Sequence, residues 1–275
     1  MGAIKLSLAI QTPESEQMVP VALLQGSFVE KLQKAARFGA DGVELLTIHP
    51  SVLPAEDILA ALNSCGLQAA AIASGGLAFA TGLSLLNADP EKALLAQQRF
   101  QDLIILAEQL HSGLVTVGSF RGRSSQVNGN GKERLAEILY RLAGSASESG
   151  VRLALEPLNR YESDLINNYQ EGLAFIQDVN HPGLGLLLDT YHVNIEESSW
   201  TEPFLRVMQA GRLFHVHLGD NNRLPPGDGL IDFAAVVKTL QDGGYQGYLS
   251  AELLPKPDPD TAGKRTLDYM RMVMN

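Results

Sequence analysis

Short continuous apolar runs recur along the whole chain, and each is followed by a longer stretch whose apolar residues have helical spacing. The runs are "IKLSLAI" (4–10), "GVELL" (42–46), "QAAAIA" (68–73), "GLVTVG" (113–118), "VRLALE" (151–156), "GLGLLLD" (183–189), "RLFHVHL" (212–218) and "GYLSAEL" (247–253). Runs of this length with little polar alternation suit strands covered on both faces, as in a parallel sheet. Between them, "FVEKLQKAARFG" (28–39) stops at Gly39, while "PAEDILAALNSCG" (54–66) opens with proline and acids and closes on Gly66. That is the usual punctuation of a helix. Further helices are predicted over 89–110, 132–149, 169–179, 201–210, 232–243 and 260–273. Eight strand–helix units in 275 residues predict a (β/α)8 TIM barrel, a fold of about 250 residues. The rival, a doubly wound open sheet, would want a phosphate-binding glycine loop after an early strand. "GADG" (39–42) precedes a strand instead, and "ASGG" (73–76) lacks the fingerprint spacing. No stretch reads as an interdomain linker, so a single domain over residues 1–275 is expected.

In such a barrel, function gathers at the C-terminal ends of the strands. Glu156 ends the fifth run, Asp189 ends the sixth, His217 lies on the seventh and Glu252 on the eighth. Any one of these alone reads as a solvated strand end or a helix cap. Four at successive strands, each about one strand–helix unit apart, read as one cluster on a common rim. Three carboxylates gathered together need a counter-charge, and a divalent cation supplies it. Three carboxylates and an imidazole favour a fairly hard ion, Mn²⁺, Co²⁺ or Mg²⁺, over a thiolate-type structural zinc site.

Other polar residues follow closely in the loops above. Glu162 comes after Glu156, His192 after Asp189 and Arg223 after His217. Such groups could hold the hydroxyls and carbonyl of a sugar-like substrate. The alternatives are a helix-capping role for His192 and a surface pair with Asp220 or Asp228 for Arg223. His215 and His217, two apart on one strand, share a face. The one nearer the rim, His217, is read as the ligand, and His215 as a hydrogen-bonded residue one layer down. In "SFRGR", Arg121 or Arg123 follows strand four and could bind a distal carboxylate or phosphate, or simply pair with surface acids.

Composition narrows the classes. A net charge of −10 and a pI near 5.1 argue against nucleic acid or an anionic membrane as the main partner. The single cysteine, Cys65, rules out an intrachain disulfide and reads as a small filler at a helix end. No apolar run approaches the ~20 residues of a membrane span, and the N-terminus lacks a secretory pattern. A cytoplasmic protein is therefore expected.

The segments "LALEPLNRYE", "LLLDTYHVNIEE", "HVHLGDNNRLPPGDG" and "LSAELLP" resemble the sugar isomerase/epimerase family with xylose-isomerase-like TIM barrels. Within that family they are most similar to the D-tagatose/D-psicose 3-epimerases and the 5-keto-L-gluconate epimerases. The second likeness extends to "KLSLAIQT", "FATGLSLLNAD" and "VGSFRGR" in the N-terminal half. One departure is Asp220, where ketose 3-epimerases tend to carry glutamate. The resemblance implies epimerisation of a keto sugar or keto-sugar acid beside its carbonyl, through an enediolate at a divalent metal, often Mn²⁺. It implies that Glu156, Asp189, His217 and Glu252 are metal ligands and that Glu156 and Glu252 are also the acid/base pair. Glu162, His192 and Arg223 would grip the carbonyl end of the substrate, and relatives are commonly dimers or tetramers. An aldose–ketose or hydroxypyruvate-type isomerase, or a 3-keto-glycoside epimerase or dehydratase, could use the same site. A DNA-repair endonuclease on this barrel would need a histidine-rich multi-zinc cluster and a basic face, which six histidines and the acidic balance oppose. A non-catalytic sugar sensor should lack the two glutamates.

Overall fold

The computed structural model describes residues 3–14 and 19–275. Met1, Gly2 and residues 15–18, part of the span expected to form one domain, lie outside the described residues. The eight apolar runs form eight strands: β1 (Lys5–Gln11), β2 (Gly42–Leu46), β3 (Gln68–Ala73), β4 (Leu114–Val117), β5 (Arg152–Leu155), β6 (Leu184–Asp189), β7 (Leu213–Leu218) and β8 (Tyr248–Ala251). Each pairs in parallel with its sequence neighbours, and β1 pairs with β8 to close the barrel. The protein is thus a closed (β/α)8 TIM barrel, as the run pattern predicts.

Eight helices fall on the stretches read as helical: α1 (Phe28–Arg37), α2 (Ala55–Ser64), α4 (Pro90–Gln109), α5 (Gly131–Glu148), α6 (Tyr169–Val179), α8 (Glu202–Gln209), α9 (Phe233–Asp242) and α10 (Pro259–Met274). Two short helices were not foreseen, α3 (Gly75–Thr81) and α7 (Thr190–Glu196). Both, at seven residues each, are too short for a periodicity argument. Local chemistry starts the longer helices. Ser27 and Glu30 make a capping box at α1, and Asp89 and Asp258 cap α4 and α10, each followed by proline. Cys65 is the C-cap of α2 and is half-buried. No helix among the described residues is long and apolar enough to cross a membrane.

The side chains alternate in size along the strands. Leu6, Leu8 and Ile10, then Val43, Leu45, Ile72, Leu153 and Leu155, pack outward against the helices in one large core. Many of their neighbours facing the interior are small or polar, Ala9, Ala71, Ala73 and Ala154 among the former and Glu44, Asp189, His215 and His217 among the latter, with Leu46, Leu114 and Leu187 as larger members of the same face. Successive strand residues point to opposite faces, so the large residues build the annulus and the small ones leave space inside. That space is where a polar site can be built without opening the apolar core.

The annulus also sets stability. Phe175 on α6 is fully buried in it. Phe175→Ala is expected to lower unfolding free energy by about 3–5 kcal/mol through lost transfer energy and a residual cavity, read from a urea unfolding curve.

Candidate active site

The period of two that empties the barrel also aims its upper layer. Ala154, Leu187, His215 and Ser250 each precede by two residues the four side chains singled out in sequence. Glu156 and Glu252 stand one residue beyond β5 and β8, Asp189 ends β6, and His217 lies in β7 directly across the ladder from Asp189. The structure brings all four together: one ligand-capable atom of each lies within 4.8 Å of the others. His217 Nδ1 is 3.5 Å from Glu252 Oε2 and 3.7 Å from Glu156 Oε1. His192 Nε2 is 3.7 Å from Glu156 Oε1 and 3.9 Å from Asp189 Oδ2. These separations are too long for hydrogen bonds.

Whether these residues fit a divalent ion is decided by their unpaired atoms. Glu156 Oε1, Asp189 Oδ2 and His217 Nδ1 are all buried and have no hydrogen-bond partner. A buried polar atom without a partner carries a desolvation cost, and here three converge on one point. Two acidic oxygens and an imidazole nitrogen, with Glu252 beside them, are a donor set for a hard or borderline cation. The residues fit.

A ring of polar groups surrounds this cluster. Arg223, held at φ 59°, bridges Glu162 Oε1 and Glu252 Oε2, each at 3.3 Å, and lies over the Tyr191 ring. In the left-handed turn there, the Arg223 amide donates to the Asp220 carbonyl and the Asp220 amide to the Leu224 carbonyl; the Asp220 carboxylate, fully buried, accepts from the amides of Asn221, Gly227, Gly229 and Ile231. His192 lies in α7, whose N-cap is Asp189, rather than in a loop. Its Nδ1 accepts from Asn159 Nδ2 at 2.8 Å, which leaves Nε2 as the hydrogen-bearing atom. The same Asn159 donates to Glu162 Oε1 and receives the amides of Tyr161 and Glu162. A cavity of about 290 Å³ opens here, lined by Val19, Leu46 and Phe79 together with Glu156, His192 and Glu252. That is the small end of ligand pockets.

Electrostatics divide the carboxyls. Burial pushes Glu156 up, and the nearby charge of Glu252 adds to this. Burial likewise lifts Asp189 to about 7, helped by Glu156. Burial would raise Glu252 too, but His217 and Arg223 outweigh it and hold Glu252 at about 2. Burial, then Arg223, lowers His192 to about 3, so its ring is neutral. Burial alone would lower His217, yet the charges of Glu44 and Glu252 raise it well above the usual range.

One expectation is corrected. Arg121 is not among the residues that line the cavity. It is fully buried, and its guanidinium donates to the carbonyls of Glu156, Leu165 and Ile166 and to Ser163 Oγ. It clamps the loop after β5 because the irregular backbone there leaves carbonyls that need donors. Arg123 is exposed and donates to the Glu162 carbonyl. Sequence reasoning missed two site residues, Asn159 and Glu44. Glu44 sits mid-run in "GVELL", and a charge inside a strand buried on both faces was the available signal. His215 is a hydrogen-bonded residue one layer down, bonded to Glu44 at 2.9 Å.

Gly118 leaves room for the Glu156 carboxylate: a Cβ there would lie 2.6 Å from Glu156 Oε2. Gly118→Ala is expected to displace that carboxylate and weaken Mn²⁺ binding by about tenfold or more, read from a titration followed by electron paramagnetic resonance, with the circular dichroism spectrum unchanged.

Comparison with known proteins matches residues 32–272 to the xylose isomerase-like TIM barrel model. The chain is 33% identical to the ketose 3-epimerase of Arthrobacter globiformis over 78% of its own length and 74% of the relative's. It is 33% identical to the L-ribulose 3-epimerase of Methylomonas sp. (strain DH-1) over 86% of its length and 82% of that protein's. The D-psicose 3-epimerase of Clostridium cellulolyticum H10, solved with D-tagatose, superposes with a TM-score of 0.79 at 25% identity, covering 99% of this chain and all of the other. On these grounds the chain belongs to the xylose isomerase-like TIM barrel family.

Proposed function

We propose that the protein is a divalent-metal-dependent epimerase that inverts the carbon beside the carbonyl of a keto sugar or keto-sugar acid. The observation that carries this reading is that Glu156 and Glu252 line one cavity and belong to a cluster of metal-capable groups three of whose buried atoms have no hydrogen-bond partner. The relatives named ketose 3-epimerase and L-ribulose 3-epimerase, and the structural neighbour solved with D-tagatose, support a free ketose as the substrate class. Glu156, Asp189, His217 and Glu252 would hold the ion, with Mn²⁺ preferred over Co²⁺ and Mg²⁺. When bound, such an ion polarises the substrate carbonyl and acidifies the neighbouring C–H.

The chain's own residues then move the protons. Glu252, held ionised by His217 and Arg223, accepts the proton from carbon. Glu156 returns a proton to the opposite face and inverts the centre. Two carboxyls with proton affinities pushed apart are the usual sign of an acid/base division. One proton leaves carbon and one arrives, so the two glutamates exchange protonation states and the reverse epimer runs the opposite way. His192 Nε2–H donates to a substrate oxygen, while Glu162 and Arg223 hold adjacent hydroxyls. Phe79, Val19 and Leu46 line the same cavity and give it an apolar wall. An isomerase on this site would return the proton to the neighbouring carbon instead. Cytoplasmic location, a single barrel domain and assembly into a dimer or tetramer belong to the same reading.

Incubation of the Mn²⁺-loaded protein in D₂O with D-fructose, D-tagatose, D-psicose, 5-keto-gluconate and D-tagaturonate tests it. Deuterium beside the ketone together with an inverted product, seen by nuclear magnetic resonance, is the expected result. Absence of exchange in every sugar despite bound metal would overturn it. Glu156→Gln and Glu252→Gln are each expected to lower turnover by about 10²–10⁴-fold, the size of a lost general acid or base, in protein that melts like the parent.

Metal uptake should depend on pH. In the metal-free protein Asp189 is lifted to about 7 and His217 is raised well above the usual imidazole range, so both hold protons near neutral pH. An ion binds only the deprotonated forms. Affinity is therefore expected to rise as pH increases through about 7 and to go on rising above it while His217 gives up its proton, with protons released on binding, as measured by titration calorimetry in buffers of different ionisation heat.

A further inference from the structure

Beneath the carboxylate cluster the barrel interior holds a second polar layer that the proposed proton transfers do not use. Glu44 on β2 is fully buried and reaches across the interior to β7. Its Oε2 lies 2.9 Å from His215 Nε2, and both its oxygens lie 3.1 Å from His217 Nε2. An ionised carboxylate only accepts, so both Nε2 atoms carry hydrogens and donate. The ladder partners of Glu44 on either side are Ala9 and Ala71, which offer no competing side-chain donor. With Nε2 committed downward, Nδ1 is the His217 ring atom left facing Glu156 and Glu252, and it has no hydrogen-bond partner.

Glu44, His215 and His217 also lie close enough to hold an ion themselves. Their facing atoms, however, are already hydrogen-bonded to one another, while the unpaired atoms lie on the other side of the His217 ring. We infer that Glu44 is a positioning residue for the metal centre: by accepting the Nε2 hydrogen it fixes His217 in one tautomer and orientation and presents Nδ1 to the ion. His215, donating to the same carboxylate, restrains its rotation and completes the support. The inference rests on the reading of the upper cluster as a divalent-ion site. Carboxylates that orient a ligating imidazole from behind make the ligand more basic, and their loss typically weakens metal binding by about 10–100-fold.

Two measurements test this without relying on turnover. Wild-type protein carrying ¹⁵N-labelled histidine is titrated with Zn²⁺ as a diamagnetic probe. The expected spectrum shows Nδ1 of His217 ligated and Nε2 still bearing hydrogen; Nε2 on the metal, or without its hydrogen, overturns the proposal. Glu44→Gln removes the charge while keeping the size. It is expected to bind one Mn²⁺ per chain about 10–100-fold more weakly than wild type, whereas a merely structural role would lower the melting temperature and leave affinity and tautomer unchanged. Equal affinity in the variant, with wild-type uptake normal, overturns this proposal alone. Wild-type protein that takes up no ion overturns the metal reading and this proposal together. Should the variant not fold, the wild-type spectrum still decides.

Discussion

Concentrated negative charge at the mouth of the barrel is the constraint on which the rest of this structure depends. Glu156 and Asp189 are buried, Glu252 nearly so, and all three face one imidazole. Carboxylates in such a setting must be neutralised by protons, by cations or by a metal. The protein uses protein cations unevenly. Arg223 and His217 serve Glu252, whereas Glu156 and Asp189 are left to take up protons or an ion. That inequality gives the three carboxyls different proton affinities.

The scaffold meets this constraint by separating two kinds of packing. Bulky aliphatic residues pack outward between strand and helix, and alanines line much of the interior. The polar layers stack inside that space, with Glu44 and His215 below and the four-residue cluster above. The loops are fixed by polar hubs rather than by apolar contact. Asn159 ties the loop after β5 to His192 and Glu162, Arg121 clamps the same loop from below, and Asp220 gathers four amides of the loop after β7. Each hub is buried, so its hydrogen bonds are shielded from water and hold geometry that an exposed loop would lose. Family membership and site geometry meet at this point: the relatives carry the name of ketose epimerases, and the two glutamates flank the cavity where such chemistry would occur.

Much of this was legible in the chain. The eight runs and their intervening helices are local patterns, and closure of eight parallel units into a barrel follows from their count and order. Glu156, Asp189, His217 and Glu252 could be read together because strand ends in this fold share one rim, and each stood at the end of its run or close to it. Asp220 holds the loop in shape because its carboxylate meets backbone amides that only the folded loop supplies. Short helices α3 and α7 escaped notice because seven residues hold too little periodicity to separate them from loops.

By itself, then, the sequence determined the architecture and the identity of the rim cluster, since both rest on spacing along the chain. Tertiary structure decided the rest. Arg121 looked like a ligand-binding arginine by position, but the carbonyls it satisfies come from a segment about forty residues later, so its burial could not be read locally. Glu44 and His217 are more than 170 residues apart, and only closure of the barrel brings β2 within reach of β7. Which nitrogen of His217 faces the carboxylates, and which glutamate holds its proton, depend on through-space charge and hydrogen bonding, quantities that no stretch of chain contains until the fold has formed.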